Sequence, residues 1–334
     1  MTYEPKFRIT PHLLKVIEEI AAYRQRIITA TVEVPWIPVL RRDARTRTTH
    51  SSTAIEGNPL TLEEVRALEE GRPVPEAGER ARREILNELA ALRFVEKNQN
   101  EKIITHNDLF KLHKILAEGV MDQGKSGQYR NFGVRVGSFF PPKADQVQSL
   151  MEEYLQWWNQ KAAELSPVIS SAIVHYRFET IHPFGDGNGR MGRALALWEL
   201  YRRGFDTHHI FSVDEVYWEN RPRYYSQLDA VRKAHDDLTG WLEYSAEAIY
   251  LTLGRVMERI DRLAMQVPAG KIVLTPKQEK LLHYLRDKGG ISPQELWKVL
   301  KVTKQGAAKL LKPLLDYGLI RRIGTRKSGK YVAG

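Results

Sequence analysis

Cysteine is missing from all 334 positions, which rules out a disulfide framework and any thiolate-held metal. Long apolar runs are missing too. Nothing approaches the ~18 apolar residues of a membrane-spanning helix, and the N-terminus does not resemble a signal peptide, so a cytoplasmic location is expected. There is no cluster with metal-ligand spacing, no internal repeat and no low-complexity tract. What is present is a chain longer than a typical domain with 42% hydrophobic residues, enough for a sizeable core. Helical periodicity dominates, so a mostly α protein is expected.

Opposite charges nearly cancel over most of the chain. Residues 1–270 carry 36 lysines and arginines against 37 acidic residues, whereas residues 271–334 carry 15 against four. The whole +10 excess therefore lies in the tail. Pro268 and Gly270 interrupt the preceding helical run and mark a linker. The expected organisation is a helical region over 1–100, a core over 101–266 and a basic domain over 271–334.

The densest chemistry is His182-Pro183-Phe184-Gly185-Asp186-Gly187-Asn188-Gly189-Arg190-Met191-Gly192-Arg193. Ser166-Pro167 opens a helix before it, and a second helix from about Arg190 to Arg203 follows, closed by Gly204. The motif is thus a loop between two helices. Glycines 185, 187 and 189 let the backbone curl its N–H groups around a phosphate at a helix N-terminus. Arg190 and Arg193, three apart, form a clamp for outer phosphates. Asp186, the loop's only carboxylate, suffices for Mg²⁺, which keeps its waters. His182 is left to accept a proton near neutral pH.

The string fits the HxFx(D/E)GNGRxxR signature of Fic-domain proteins, and the chain resembles that family. The resemblance implies a Fic/Doc-type helical core and AMPylation, in which ATP donates AMP to a Ser, Thr or Tyr hydroxyl of a protein. It implies His182 as general base, Asp186 as Mg²⁺ ligand, Gly187, Asn188 and Gly189 as the phosphate nest, and Arg190 and Arg193 on the β- and γ-phosphates. Phe184 would anchor the loop in the core. A kinase-like branch of the family carries lysine within the GNGR segment, which this chain keeps intact. A phosphocholine-transferring branch stays open.

Ser52, Glu56 and Gly57 resemble the family's inhibitory (S/T)xxxE(G/N) motif. Ser52 and Glu56 share a helix face, Gly57 suits the helix end, Pro59 stops continuation, and Thr61 to Glu64 reads as a capping box. Glu56 would be exposed at the helix end and would pair with Arg193, occupying the partner of the γ-phosphate. Between the two motifs, Val134, Arg135, Val136 and Gly137, followed by Ser138-Phe139-Phe140, suggest a short β-hairpin. The family uses a flap here to dock an extended target segment. Tyr224 and Tyr225 open a helix where the family lines its adenine pocket. The run Arg41 to Arg47 reads as a solvated basic helix face.

The tail reads as helix, helix-turn-helix and a basic hairpin around Gly324 to Gly329, which resembles a winged helix. Lys304, Gln305 and Lys309 on the third helix and Arg326 and Lys327 in the wing are the DNA-contact candidates. A protein-contact role for this domain, and a homodimer, stay open. Two functions result: an autoinhibited AMP-transferring enzyme that also removes AMP if Glu56 orients a water, or a nucleotide-sensing DNA-binding regulator. The intact His182 favours the enzyme, because sensing needs no proton acceptor.

Overall fold

The computed structural model describes residues 3–31, 37–74, 76–206, 208–266, 275–300, 302–316, 318–324 and 329–333. These residues form helices α1 (Pro11–Thr31), α2 (Ile37–Ile55), α3 (Leu62–Glu69), α4 (Glu79–Lys97), α5 (His106–Ala117), α6 (Ala144–Gln160), α7 (Pro167–Ile181) and α8 (Asn188–Arg202). There follow α9 (Asp214–Glu219), α10 (Arg221–Lys233), α11 (Thr239–Gln266), α12 (Pro276–Lys288), α13 (Pro293–Leu300) and α14 (Lys304–Asp316), then strands β1 (Ile320–Ile323) and β2 (Lys330–Ala333). Two compact units result, one from residues 3–27 and 37–257, the other from residue 258 onward with 28–31. The expected linker at Pro268 and Gly270 lies outside the described residues. Among the described residues, no helix is long and apolar enough to cross a membrane.

In the first unit α7 and α8 are the central pair. Twelve of the fifteen residues of each are buried, so both are enclosed on nearly all sides and neither shows the one-sided apolar stripe of a surface helix. Burying polar groups so deeply requires partners for them. Glu199 of α8, fully buried, accepts from Trp158 Nε1 of α6 and Ser170 Oγ of α7, each at 2.7 Å, and pairs with Arg202 and Arg203 at 3.2 Å. One carboxylate thereby ties three helices together.

Local signals set the ends. Thr61 and Glu64 form the expected capping box of α3, and Pro167 sits in the first turn of α7. The basic run of α2 departs from expectation. Arg45 bonds Glu69 of α3 at 2.7 Å and reaches Glu96 of α4 at 3.5 Å, while Arg47 pairs with Asp43 at 2.8 Å and Glu215 of α9 at 2.9 Å. Those arginines are half-buried cross-links rather than a solvated face, because carboxylates from three other helices converge on them.

The second unit stacks α12, α13 and α14 around Leu281, Leu285, Leu296, Leu300, Leu311 and Leu314. Thr275 and Gln278 form a capping box, and Gln278 Nε2 also donates to the Leu310 carbonyl at 2.9 Å. α14 runs through Pro313 to Asp316. β1 and β2 pair antiparallel with Ile320 opposite Ala333 and Ile323 opposite Lys330.

Candidate active site

α7 ends on His182, whose backbone is left-handed (φ 50°), a conformation that non-glycine residues adopt rarely and often at functional sites. The turn is closed from within. Asn188 is buried, its Oδ1 accepts from the Phe184 N–H and its Nδ2 donates to the Phe184 carbonyl, both at 2.9 Å. Phe184 is fully buried, as expected. Gly187 is left-handed (φ 74°), and α8 begins immediately after it at Asn188, so the free N–H groups of that first turn face the loop. The anticipated nest is therefore one left-handed glycine plus a helix N-terminus. The Asn188 side chain is committed to closing the loop, leaving its backbone for any ligand.

A cavity of about 650 Å³ opens on this turn, lined by His182, Gly185, Asp186, Gly187, Asn188, Gly189 and Arg190, together with Glu56, Arg80, Asp122 and Val134 to Val136. Arg193 does not line it; Glu56 does. The Glu56 carboxylate sits 2.7 Å from Arg193 Nη2. The same guanidinium donates to Ser52 Oγ at 3.1 Å and to the Ser52 carbonyl at 2.8 Å. Ser52 and Glu56, four apart, thus share the helix face the spacing implied. A Cβ on Gly189 would collide with Glu56 Oε1, so the carboxylate lies directly over the first turn of α8. Burial opposes the charge of Arg193, yet Glu56 and Asp214 hold its pKa well above the usual value. Glu88 of α4, fully buried near Arg190 and Arg193, is pushed up to about 7 by burial despite those arginines.

His182 has a carboxylate behind it. Glu179 Oε2 lies 3.6 Å from His182 Nδ1. Burial raises the Glu179 pKa, but His182, His175 and Arg193 outweigh it and leave the group below its usual value. A carboxylate held ionised on the Nδ1 side leaves Nε2 as the working nitrogen. Gly192 makes room for it, since a Cβ there would come within 2.6 Å of Glu179 Oε1.

Asp186 is set by backbone donors. Its Oδ1 accepts from Gly187 N–H at 2.6 Å and its Oδ2 from Asp122 N–H at 3.2 Å. Each oxygen retains a lone pair for a cation. Among the described residues no group of three or more His, Cys, Asp or Glu could enclose a metal by itself. The loop's aspartate, facing an open cavity, fits Mg²⁺ shared with phosphates, and does not fit a zinc cage.

Other expected site residues fall less simply. Tyr224 is 1% exposed and its hydroxyl bonds His175 Nε2 at 3.0 Å, so no ring face is left for adenine. Tyr225 is 38% exposed, and its hydroxyl donates to the Ile55 carbonyl at 3.4 Å, beside the helix end that carries Glu56. The expected flap hairpin contracts to a single antiparallel bridge, Val136 with Phe139, around left-handed Gly137. Two residues per side cannot extend a ladder when Pro141 and Pro142 follow at once. Gln305 and Lys309 are exposed on α14, and Arg326 and Lys327 lie outside the described residues.

Residues 103–200 match the Fic/DOC family. The chain carries a Fic domain. The chain is 30% identical over 243 residues to protein adenylyltransferase fic-1 of Caenorhabditis elegans, covering 70% of this chain and 45% of that protein. Protein adenylyltransferase Fic of Drosophila melanogaster is 29% identical over 231 residues, 68% of this chain and 45% of that one. The chain thus spans about half the length of these curated relatives. A Fic family protein of known structure from Desulfovibrio desulfuricans G20 matches throughout, with a TM-score of 0.70, 28% identity, and coverage of 99% of this chain and 98% of that one.

Three residues of the Fic-domain site escape the motif. Glu179 precedes His182 by three, so a helical i, i+3 search back from the histidine would have found it. His113 of α5 and Arg130 lie far upstream. Gly127 to Arg130 is visible only as a break in periodicity, and His113 only as a polar residue on an apolar helix, pushed down to about 4 mainly by burial.

Proposed function

We propose that this chain is a protein adenylyltransferase held in check by its own Glu56. The observation that carries the proposal is the site around the 182–193 loop: a histidine backed by a carboxylate, the loop's aspartate and a glycine-flanked helix N-terminus on one cavity, with the second motif arginine covered by Glu56. In this reading the target's hydroxyl oxygen attacks the α-phosphorus of ATP. The bond from that phosphorus to the oxygen bridging to the β-phosphate breaks, pyrophosphate leaves, and the hydroxyl proton passes to His182 Nε2. Glu179 stabilises the resulting imidazolium. The first-turn N–H groups of α8 and Arg190 hold the outer phosphates. Mg²⁺, held through Asp186, would when bound neutralise phosphate charge. Arg193 would take the γ-phosphate only once Glu56 has left it.

Relatives named as transferases support this reading over a nucleotide-sensing regulator. The test is incubation of the wild-type chain and Glu56→Gly with ATP labelled in the α-phosphate. Labelled protein bands that are faint for the wild type and strong for the variant are expected. No transfer from either chain, with ATP binding intact, would overturn the proposal.

For the second unit we propose duplex DNA binding, supported by its charge and by Gln305 and Lys309 exposed on the third of its helices. Phosphate neutralisation releases counterions, so affinity should fall steeply with salt, and Lys309→Glu should weaken it. Salt-insensitive binding would point to a protein partner instead.

A further inference from the structure

The loop between α7 and α8 is gripped from one side by the segment from α5 to residue 130. Gly127 N–H donates to His113 Nδ1 at 2.8 Å, so that nitrogen carries a lone pair. The ring proton is then on Nε2, which donates to the Asp186 carbonyl at 2.9 Å. Two backbone groups thus fix the tautomer. The fully buried ring lies flat on Phe184, centroids 3.7 Å apart and planes within 2°. The same segment supplies the Asp122 N–H on Asp186 Oδ2 at 3.2 Å. It passes so close to the loop that a Cβ on Gly185 would lie 2.6 Å from the Gln123 carbonyl oxygen.

Arg130 grips the other end. Buried at 4% exposure, it donates from Nε to the His182 carbonyl at 2.8 Å and from Nη2 to the Pro142 carbonyl at 2.6 Å, and its own N–H donates to the Pro183 carbonyl at 2.9 Å. These bonds satisfy carbonyls at the end of α7 and pin the left-handed backbone of His182. One upstream segment therefore reaches both ends of the loop with different side chains.

We infer that His113 and Arg130 are positioning residues with separate duties, His113 setting Asp186 for its cation and Arg130 setting His182 for its proton. The inference rests on the roles proposed above for Asp186 and His182. Neither residue touches the reacting atoms.

The test uses the full chain carrying Glu56→Gly. His113→Phe keeps the stacked ring and loses both hydrogen bonds; His113→Gln keeps an N–H donor. Losing a hydrogen bond that orients a metal ligand costs ~10–100-fold in metal affinity, so His113→Phe should raise the Mg²⁺ needed for half-maximal transfer by about that factor. His113→Gln should recover most of it. Arg130→Met should lower kcat at least ~10-fold with the Mg²⁺ requirement unchanged. The amide resonances of Asp122 and Gly187, followed during a Mg²⁺ titration with a non-hydrolysable ATP analogue, should show the same shift without turnover. In the wild type, the His113 ring spectrum should place its proton on Nε2. A proton on Nδ1, or His113→Phe and Arg130→Met lowering kcat alike with no change in Mg²⁺ requirement, overturns the assignment. Absent transfer in the Glu56→Gly chain would count against AMP transfer itself, and the resonance titration would still decide the duties of His113.

Discussion

Two short segments face the same cavity and are held in opposite ways. Residues 182–187 are bonded from outside by His113 and Arg130 and from inside by Asn188. Residues 131–142 have one internal bridge, Val136 with Phe139, a bond from Arg135 to the Gly137 carbonyl, ties from Arg130 near their ends and the Arg232 guanidinium on Phe139, while Phe140 stands 70% exposed. The difference follows from what each must do. Groups that move a proton or hold a phosphate work only if already in place. A segment that receives a foreign chain gains from backbone groups left open for pairing.

The contrast breaks most visibly at His182. His182→Ala should lower AMP transfer by ~10²–10⁴-fold or more while leaving ATP binding largely intact, and undiminished labelling would remove the base from the mechanism. Phe184→Ala tests the anchoring. A fully buried aromatic packed on His113 should cost ~3–5 kcal/mol of unfolding free energy, measured by denaturant titration. A loss below about 1 kcal/mol would mean that the loop is held by its hydrogen bonds alone.

The Glu56 contact comes next in size. A hydrogen bond to a charged group is worth ~1.5–3 kcal/mol, so releasing Arg193 by Glu56→Gly should raise labelling by ~10–100-fold. Ser52 still bonds Arg193 in that variant, which keeps the guanidinium in place for a phosphate. Arg193→Ala should lower labelling even in the Glu56→Gly background. If the two single variants behave alike, Glu56 and the nucleotide do not compete for Arg193.

How much of this was legible in the sequence depended on range. Caps are local, so Thr61 with Glu64 could be read directly. The Ser52 and Glu56 spacing also needed only one helical turn. The 182–193 loop taken alone presents Arg193 as half of an open clamp, and its cover by Glu56, 137 residues upstream, is expected only through the family's inhibitory motif. Tyr224 read as an adenine contact because nothing nearby in sequence reports the aromatic cluster of Tyr217 and Trp241 that encloses it. Arg41 to Arg47 read as solvated because the carboxylates that pair with Arg45 belong to other helices. His113 and Arg130 act across 73 and 52 residues, and a chain read locally gives such grips no signature.

Glu88 extends the held side behind the two arginines, and its effect is pH-dependent. Its pKa is raised to about 7 from the ordinary 4.5, first by burial and further by Asp214, with Arg190 and Arg193 opposing. Between those values the folded chain binds a proton that the unfolded chain has lost. Stability contributed by Glu88 is therefore full below about pH 4.5 and declines as pH rises towards 7. Glu88→Gln stays neutral and should lack that decline, gaining ~2–3 kcal/mol relative to the wild type between pH 5 and 8. Parallel stability profiles for the two chains would show Glu88 ionised throughout.

The smallest effect belongs to the open segment. Phe140 is 70% exposed, and the Arg135 guanidinium lies 5.4 Å from its ring centroid. Surface substitutions away from caps, cores and networks usually change stability by no more than ~0.5 kcal/mol, so Phe140→Ser should leave unfolding within that range. If the segment docks a target chain, the same change should lower labelling of a protein substrate through a higher KM, with kcat preserved, because the proton-moving groups sit elsewhere. Phe139 provides the control within the same bridge: its ring stacks on Arg232 at 3.8 Å, so Phe139→Ser should cost stability as well. Equal stability losses at 139 and 140 would mean that the whole segment is packed structure, and the contrast with the 182–187 loop would disappear.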